Sequence, residues 1–185
     1  MPSFPFYKQL DAMDCGPTCL RMIARHYGKT YSLQTLRSKS YLSRDGVSMM
    51  GISEAAESIG FRTMGVSLTP EQLFSSAPTP LIVHWKQNHF VVVHKISKDK
   101  VFVADPAFGL VKYSKEEFLK SWISVHKEGD KKGLALLLET TPDFYAEEGE
   151  KLDKSSFRFL LSYLKPYRKF IIQLVLGLFL GSILQ

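Results

Sequence analysis

The hydrophobic pattern changes along the chain from helical spacing to strand-like runs. Between Thr18 and Tyr27 apolar residues recur every three or four positions, which predicts one buried helix face, and Gly28 supplies a stop. Two more helices are predicted to begin at the caps Ser32 and Ser48. The predicted strands are Phe61–Leu68, Leu81–Trp85, Phe90–Ile96, Val101–Ala104, Leu110–Tyr113 and Leu134–Glu139.

The order of these elements indicates the fold class. Capping boxes at Thr69 and Ser114 predict two further short helices among the strands. Helices that come first, followed by antiparallel strands, favour an α+β architecture with the first helix laid against the sheet. The pattern alone does not single out one fold within that class.

The composition changes again after residue 140. Residues 141–156 contain an acidic run and little that could be buried, so we interpret them as a linker. One apolar stripe in residues 157–165 predicts an interfacial amphipathic helix. Residues 170–185 carry no charge and predict the start of a transmembrane helix, which needs about 20 such residues. We therefore expect a fragment of a longer protein; the alternative for this last segment is a buried core helix.

Charge and cysteine content narrow the function classes. The net charge of +6 is modest and no basic-aromatic platform is present, so we expect no nucleic-acid partner. The two cysteines lie four residues apart on one helix, where they cannot form an ordinary disulfide, and no Cys/His cluster suggests a metal site. Cysteines that form no disulfide are typical of a protein in a reducing compartment. Lys165, Arg168 and Lys169 precede the apolar segment and predict a cytosolic N-terminal domain.

Cys15 is the first candidate for chemistry. Gly16-Pro17 is a helix-start signal, which places Cys15 at the positive end of the first helix, where a thiolate is favoured over a thiol. Cys19, one turn later, fits a buried structural role. Asp14 would oppose the thiolate if it pointed inward, so we expect it to face away or to cap the helix.

A base and an orienting carboxylate can be sought among the strands. His89 opens one predicted strand and Asp105 ends the next, so a hairpin between them brings the two near each other. His94 is the rival base, but it should face the other side of its strand. His84 lies in an apolar run and is interpreted as a core histidine. A nucleophile, a base and an orienter then occur in the order Cys, His, Asp.

Three separated motifs carry a family resemblance. They are Gln9 with Cys15-Gly16-Pro17-Thr18-Cys19, then Asn88-His89-Phe90-Val91-Val92-Val93, then Asp105-Pro106-Ala107-Phe108-Gly109. Over about residues 5 to 140 the chain resembles the N-terminal peptidase domains of peptidase-containing ABC exporters, the double-glycine cysteine peptidases that process bacteriocins.

The resemblance implies a papain-like fold and a role for each motif residue. Cys15 would be the nucleophile, His89 the base and Asp105 the orienter, while Gln9 would donate its amide to the oxyanion. The expected domains are a peptidase at 1–140, a linker at 141–156, and at 157–185 an amphipathic elbow helix with the start of the first transmembrane helix.

The resemblance also implies partners and a location. The substrate would be a precursor peptide, a bacteriocin or similar, whose leader ends in Gly-Gly. The full-length protein would be an exporter, a homodimer in the inner membrane, with the peptidase on the cytosolic side. No metal or cofactor is expected for the peptidase; ATP and Mg²⁺ belong to a nucleotide-binding domain beyond residue 185.

Two other hypotheses remain open at this stage. A non-catalytic module could hold leader peptides for export, in which case Cys15 would be dispensable. A papain-like amidase or acyltransferase could act on a different substrate, with the apolar tail as its anchor. The joint presence of Gln9, Cys15, His89 and Asp105 favours the leader peptidase.

Overall fold

The computed structural model describes residues 3–41, 46–127, 130–146 and 149–150, and in the C-terminal part residues 169–170, 172–173 and 181–182. The chain divides into two compact units, Met1–Lys151 and Leu152–Gln185. The described residues of the second unit are helical, and within the described parts of the chain no helix is long and apolar enough to cross a membrane. The predicted amphipathic helix at 157–165 and most of the predicted transmembrane segment at 170–185 lie outside the described residues.

The helices of the first unit begin where the capping residues predict. Ser32 and Ser48 accept hydrogen bonds from the backbone N–H groups of Thr35 and Gly51, at 3.1 and 3.0 Å. Thr69 and Ser114 form complete capping boxes. The helices are α1 Cys15–His26, α2 Leu33–Lys39, α3 Met49–Glu57, α4 Pro70–Ser75, α5 Lys115–Trp122 and α6 Pro142–Ala146, and a 3₁₀ turn at Ala12–Asp14 precedes α1.

The strands of the first unit pair into one antiparallel sheet. They are β1 Phe61–Leu68, β2 Leu81–Trp85, β3 His89–Ile96, β4 Lys100–Asp105, β5 Gly109–Ser114, β6 Val125–Lys127 and β7 Asp130–Thr140. Their spatial order is β1-β7-β2-β3-β4-β5, and β6 pairs with β7. The predicted hairpin of β3 and β4 is present, with Val92 opposite Ala104 and an irregularity between Val93 and Lys95.

Apolar side chains are buried on both faces of the sheet. Phe90 and Val92 of β3 pack in one cluster with Leu20 and Ile23 of α1. Val91 and Val93, the alternate residues of the same strand, belong to a second cluster with Phe118 and Trp122 of α5. The α+β prediction, with α1 laid against the sheet, is therefore confirmed.

The pattern missed two elements near the end of the first unit. One is β6, a three-residue strand. The other is α6, which lies inside the predicted linker. Its Phe144 is fully buried, against Phe61 at a ring-centroid distance of 4.6 Å. The expectation that residues 141–156 bury little is wrong at this residue. Thr141 anchors the start of α6, because its hydroxyl donates to the Gly60 carbonyl at 2.8 Å.

Candidate active site

Cys15 is the first residue of α1. The 3₁₀ turn before it is capped by Asp11, whose side chain accepts the Met13 N–H at 3.2 Å. The first N–H groups of a helix lack intrahelical acceptors and are available to a ligand at that end. Gly16 packs closely on α3: a Cβ there would lie 2.7 Å from the Ile52 side chain. The thiol is therefore held at a fixed helix end, and Cys15 is 6% exposed.

His89 connects the cysteine to a carboxylate. Its Nε2 lies 2.9 Å from Asp105 Oδ1, and the Cys15 side chain is near enough to raise the pKa of the imidazole. Asp105 Oδ1 accepts the Ala107 N–H as well, at 2.9 Å. Because Nε2 is engaged by Asp105, Nδ1 is the ring nitrogen left for the thiol. The structure thus brings together three of the residues that the sequence singled out.

The electrostatics of this group favour an imidazolium. Burial lowers the pKa of His89, but the hydrogen bonds and charges of Asp105 and Cys15 outweigh it and raise the pKa to about 9. Burial also acts to raise the pKa of Asp105, yet His89 and the Ala107 N–H overcome this effect, and the net shift is downward. Asp105 is therefore an anion that accepts the proton on Nε2.

Gln9 lies beside the same loop. Its backbone N–H donates to the Pro106 carbonyl at 2.9 Å, which joins the segment before α1 to the residue after Asp105. Its Oε1 is buried and has no hydrogen-bond partner among the described residues. A buried amide end without a partner is costly unless a ligand meets it. Rotation about the last side-chain bond exchanges Oε1 with Nε2, a donor.

The Asp14 carboxylate is directed to Arg37 of α2, and of the two predicted alternatives the cap on α1 is not formed. The residue is fully buried and its side chain does not cap α1. Its carboxylate is bound by Arg37 of α2, with Nε 2.6 Å from Oδ1 and Nη2 2.5 Å from Oδ2. Sequence reasoning missed Arg37, because no local signal connects it to a carboxylate that lies 23 positions earlier.

The remaining candidates lie outside this group. Cys19 is fully buried and its Sγ donates to the Phe90 carbonyl at 3.3 Å, which confirms a structural role. His94 stacks on Phe4, with ring centroids 4.5 Å apart. His84 is half-buried beside Phe90; burial lowers its pKa despite a backbone hydrogen bond at Gln87. Over the described part of the chain, no group of three or more His, Cys, Asp or Glu residues could hold a metal ion.

Comparison with known proteins identifies relatives of this arrangement. Residues 3–128 match the model of the peptidase C39 family. The chain is 38% identical over 122 residues to the lactococcin-G-processing and transport ATP-binding protein LagD of Lactococcus lactis, covering 63% of this chain and 17% of the relative. It is 32% identical over 188 residues to the lactococcin-A transport/processing ATP-binding protein LcnC, also of L. lactis, covering 97% and 24%. The chain thus spans about a quarter or less of these relatives' length.

Solved structures resemble the first unit in the same way. A double glycine motif protease from an AMS/PCAT transporter, in complex with its leader peptide, superposes with a TM-score of 0.67 at 32% identity, covering 74% of this chain and 91% of that one. The peptidase domain of Streptococcus ComA, a bifunctional ABC transporter of a quorum-sensing pathway, superposes with a TM-score of 0.64 at 30% identity, covering 75% and 100%.

Proposed function

The chain belongs to the peptidase C39 family, and we propose that it cuts leader peptides from precursor peptides, with Cys15 as the nucleophile. The observation that carries this proposal is the position of His89, which contacts both Cys15 and Asp105 at the N-terminus of α1. A buried histidine between a thiol and a carboxylate is the arrangement that activates a cysteine nucleophile.

The first half of the reaction is acyl transfer to sulfur. His89 holds the thiol proton on Nδ1 as an imidazolium, which leaves Cys15 as a thiolate, and Asp105 accepts the proton on Nε2 and stabilises that imidazolium. The thiolate forms a bond to the scissile carbonyl carbon, and the carbonyl oxygen becomes an anion. The Cys15 N–H and the Gln9 side-chain amide donate to that oxyanion; such a donor is usually worth about 3 kcal/mol. The imidazolium then gives its proton to the leaving amine, and the C–N bond breaks.

The second half regenerates the enzyme. Water attacks the thioester carbonyl while His89 accepts a proton from it. The C–S bond breaks, the leader leaves with a new carboxylate, and Cys15 returns to its initial state. No metal or redox cofactor is needed for this sequence of steps.

The substrate class follows from the relatives. We propose a leader that ends in Gly-Gly, since one structural relative is a double glycine motif protease bound to its leader peptide. A narrow cleft that excludes every Cβ would enforce this preference, because only glycine threads it. The leader would dock as a helix, by its apolar face.

The wider assembly is part of the same proposal. The curated relatives are transport/processing ATP-binding proteins. We propose that this chain is part of such an exporter, working as a homodimer in the inner membrane with the peptidase in the cytosol. ATP and Mg²⁺ would act in a nucleotide-binding domain outside these 185 residues, and the cleaved peptide, a bacteriocin or a similar product, would be the cargo.

Cleavage of a peptide panel by the 185-residue chain tests this function. Precursors with Gly-Gly at the junction are compared with Ala-Ala precursors, and products are identified by mass spectrometry. We expect cleavage after Gly-Gly only, complete loss in Cys15→Ala, and retained cleavage in Cys19→Ala, the matched thiol control. Binding of the leader without cleavage would instead favour the docking module, and cleavage of unrelated amides would favour the amidase.

A further inference from the structure

An ion pair is formed by the residue that immediately precedes the nucleophile in the chain. Asp14, the residue before Cys15, is fully buried, and its two carboxylate oxygens are bound by two different nitrogens of Arg37. This bidentate geometry orients a carboxylate as well as neutralising it. An unpaired carboxylate at this position would be strongly disfavoured, because burial without a partner is costly.

The same carboxylate fixes the loop that leads into the site. Asp14 Oδ2 accepts the Asp11 N–H at 2.9 Å. The loop at residues 10–14 is therefore closed on itself. Its two ends are Gln9 and Cys15, which are the two groups that we propose hold the oxyanion.

We propose that Arg37 is a positioning residue for the peptidase reaction. Through Asp14 it fixes the positions of the Gln9 amide and the Cys15 N–H relative to each other. It also neutralises the negative charge of Asp14 next to the thiolate. This inference rests on the proposed function. In the described contacts Arg37 touches neither the thiol nor the imidazole, and its hydrogen bonds go to Asp14.

The neutralisation of Asp14 is important because other charged groups already surround the thiol. His89 and Asp105 face Cys15 from the sheet, and Cys19 lies one turn along α1. Asp11 and Asp14 precede the thiol, and of these two the buried one is paired by Arg37. If Arg37 is removed, a second carboxylate close to Cys15 loses its counter-ion, and a thiolate there becomes less favourable.

Arg37 can be replaced without removing the apolar contacts of α2. Its side chain is 29% exposed, whereas Leu33 and Leu36 bury the helix. Four variants of the 185-residue chain therefore test the inference: Arg37→Met, Arg37→Lys, Asp14→Asn, and the double variant Arg37→Met/Asp14→Asn. Arg25→Met is the matched control, since Arg25 lies in the last turn of α1 and its hydrogen bond goes to Thr30.

Two readouts separate positioning from a purely structural role. Cleavage of the Gly-Gly precursor gives kcat and KM, and the rate of iodoacetamide alkylation of Cys15 across pH reports thiolate formation. For Arg37→Met we expect kcat to fall at least tenfold with KM within threefold, and the alkylation profile to move to higher pH. In the double variant the alkylation profile should return towards that of the parent chain. Arg25→Met should change neither readout.

Arg37→Lys keeps the inference testable if Arg37→Met does not fold. Lysine restores the charge without the planar fork, so the alkylation profile should stay in place while kcat still falls. The inference is overturned if Arg37→Lys has the parent kcat, or if Arg37→Met changes KM alone with an unchanged alkylation profile. If the parent chain cleaves no leader, the proposed function fails, and the alkylation profiles still decide whether Arg37 acts on the thiol.

Discussion

At the scale of single residues, the state of His89 is set by competition between burial and its two partners. Burial favours the neutral ring, but Asp105 and Cys15 raise the pKa to about 9. The unfolded value is about 6.5. The stabilisation from this pairing is therefore complete below about pH 6.5, and it is lost as the pH rises through about 9.

Replacing Asp105 should shift the pH dependence of catalysis. In Asp105→Asn we expect the pKa of His89 to fall below about 9, because the carboxylate that favours the imidazolium is gone. The alkaline limb of kcat/KM should move to lower pH, and NMR titration of the His89 ring should follow it. His94→Gln is the control and should leave the alkaline limb in place. An unchanged limb in Asp105→Asn would remove Asp105 from the orienting role.

Removing the Gln9 amide should slow the chemical step without affecting the thiol. Gln9→Ala loses one oxyanion donor, so kcat should fall by about 10²–10³-fold. Alkylation of Cys15 by iodoacetamide forms no oxyanion, so its pH profile should match that of the parent chain. Steady-state kinetics and alkylation on the same samples check both statements. A Gln9→Ala variant with the parent kcat would exclude this role for Gln9.

The candidate site could be predicted from the sequence only where local signals exist. Cys15 follows from a helix-start signal, and His89 and Asp105 follow from the ends of two neighbouring strands. The sequence around Arg37 contains no such signal, because Arg37 meets its partner only when α2 packs against α1. The counter-ion of Asp14 was missed for the same reason: the sequence shows the charge of Asp14 but not its partner.

At the scale of elements, the prediction was most accurate where apolar spacing and caps agree. β1 and β2 have the predicted ends, and β3 to β5 are longer by one or two residues. β7 begins at Asp130 rather than at Leu134, because its first residues pair with the short β6. Pairing with a neighbouring strand leaves no mark on the hydropathy pattern.

Gly51 should show how packing overrides helix propensity. In the interior of α3 alanine is normally better than glycine by about 1 kcal/mol. A Cβ at this position, however, would clash with the backbone carbonyl oxygen of Ser40. We expect Gly51→Ala to lower the free energy of unfolding by about 1–3 kcal/mol, as overpacking does. Urea unfolding of the 185-residue chain measures it.

Gly65 provides the comparison for this prediction. It lies in β1, where a Cβ would meet nothing within 4 Å. Gly65→Ala should change the free energy of unfolding by less than about 0.5 kcal/mol. Equal destabilisation by the two substitutions would mean that backbone effects, and not the Ser40 carbonyl, determine the loss at Gly51.

At the scale of the molecule, the end of the peptidase unit differs from its predicted place at residue 140. Phe144 is fully buried. The backbone of α6 lies so close to Gly60 that a Cβ on Gly60 would be 2.5 Å from the Phe144 Cα. Glu150 accepts the Ser32 N–H at 2.6 Å. The first unit accordingly runs to Lys151. One buried residue in a five-residue helix is too little for periodicity to detect.

Truncation of the chain at residue 140 should show that the first unit extends beyond this residue. A fragment of residues 1–140 lacks Phe144, so it should be less stable than a fragment of residues 1–151 by about 3–5 kcal/mol, the usual cost of removing a buried phenylalanine. Phe144→Ala in the longer fragment should reproduce most of the loss. Thermal unfolding of the three proteins compares them, and equal melting temperatures for the two fragments would place the boundary back at residue 140.

Because Cys19 is buried, the reactivity of its thiol reports whether α1 has separated from the sheet. Its thiol is inaccessible and donates to the Phe90 carbonyl across the contact between α1 and β3, and burial raises its pKa well above the usual range. A brief pulse of alkylating reagent should therefore modify one sulfur in a closed molecule and two in a molecule whose helix has left the sheet. The mass of each labelled molecule then counts the open population directly, without any added probe.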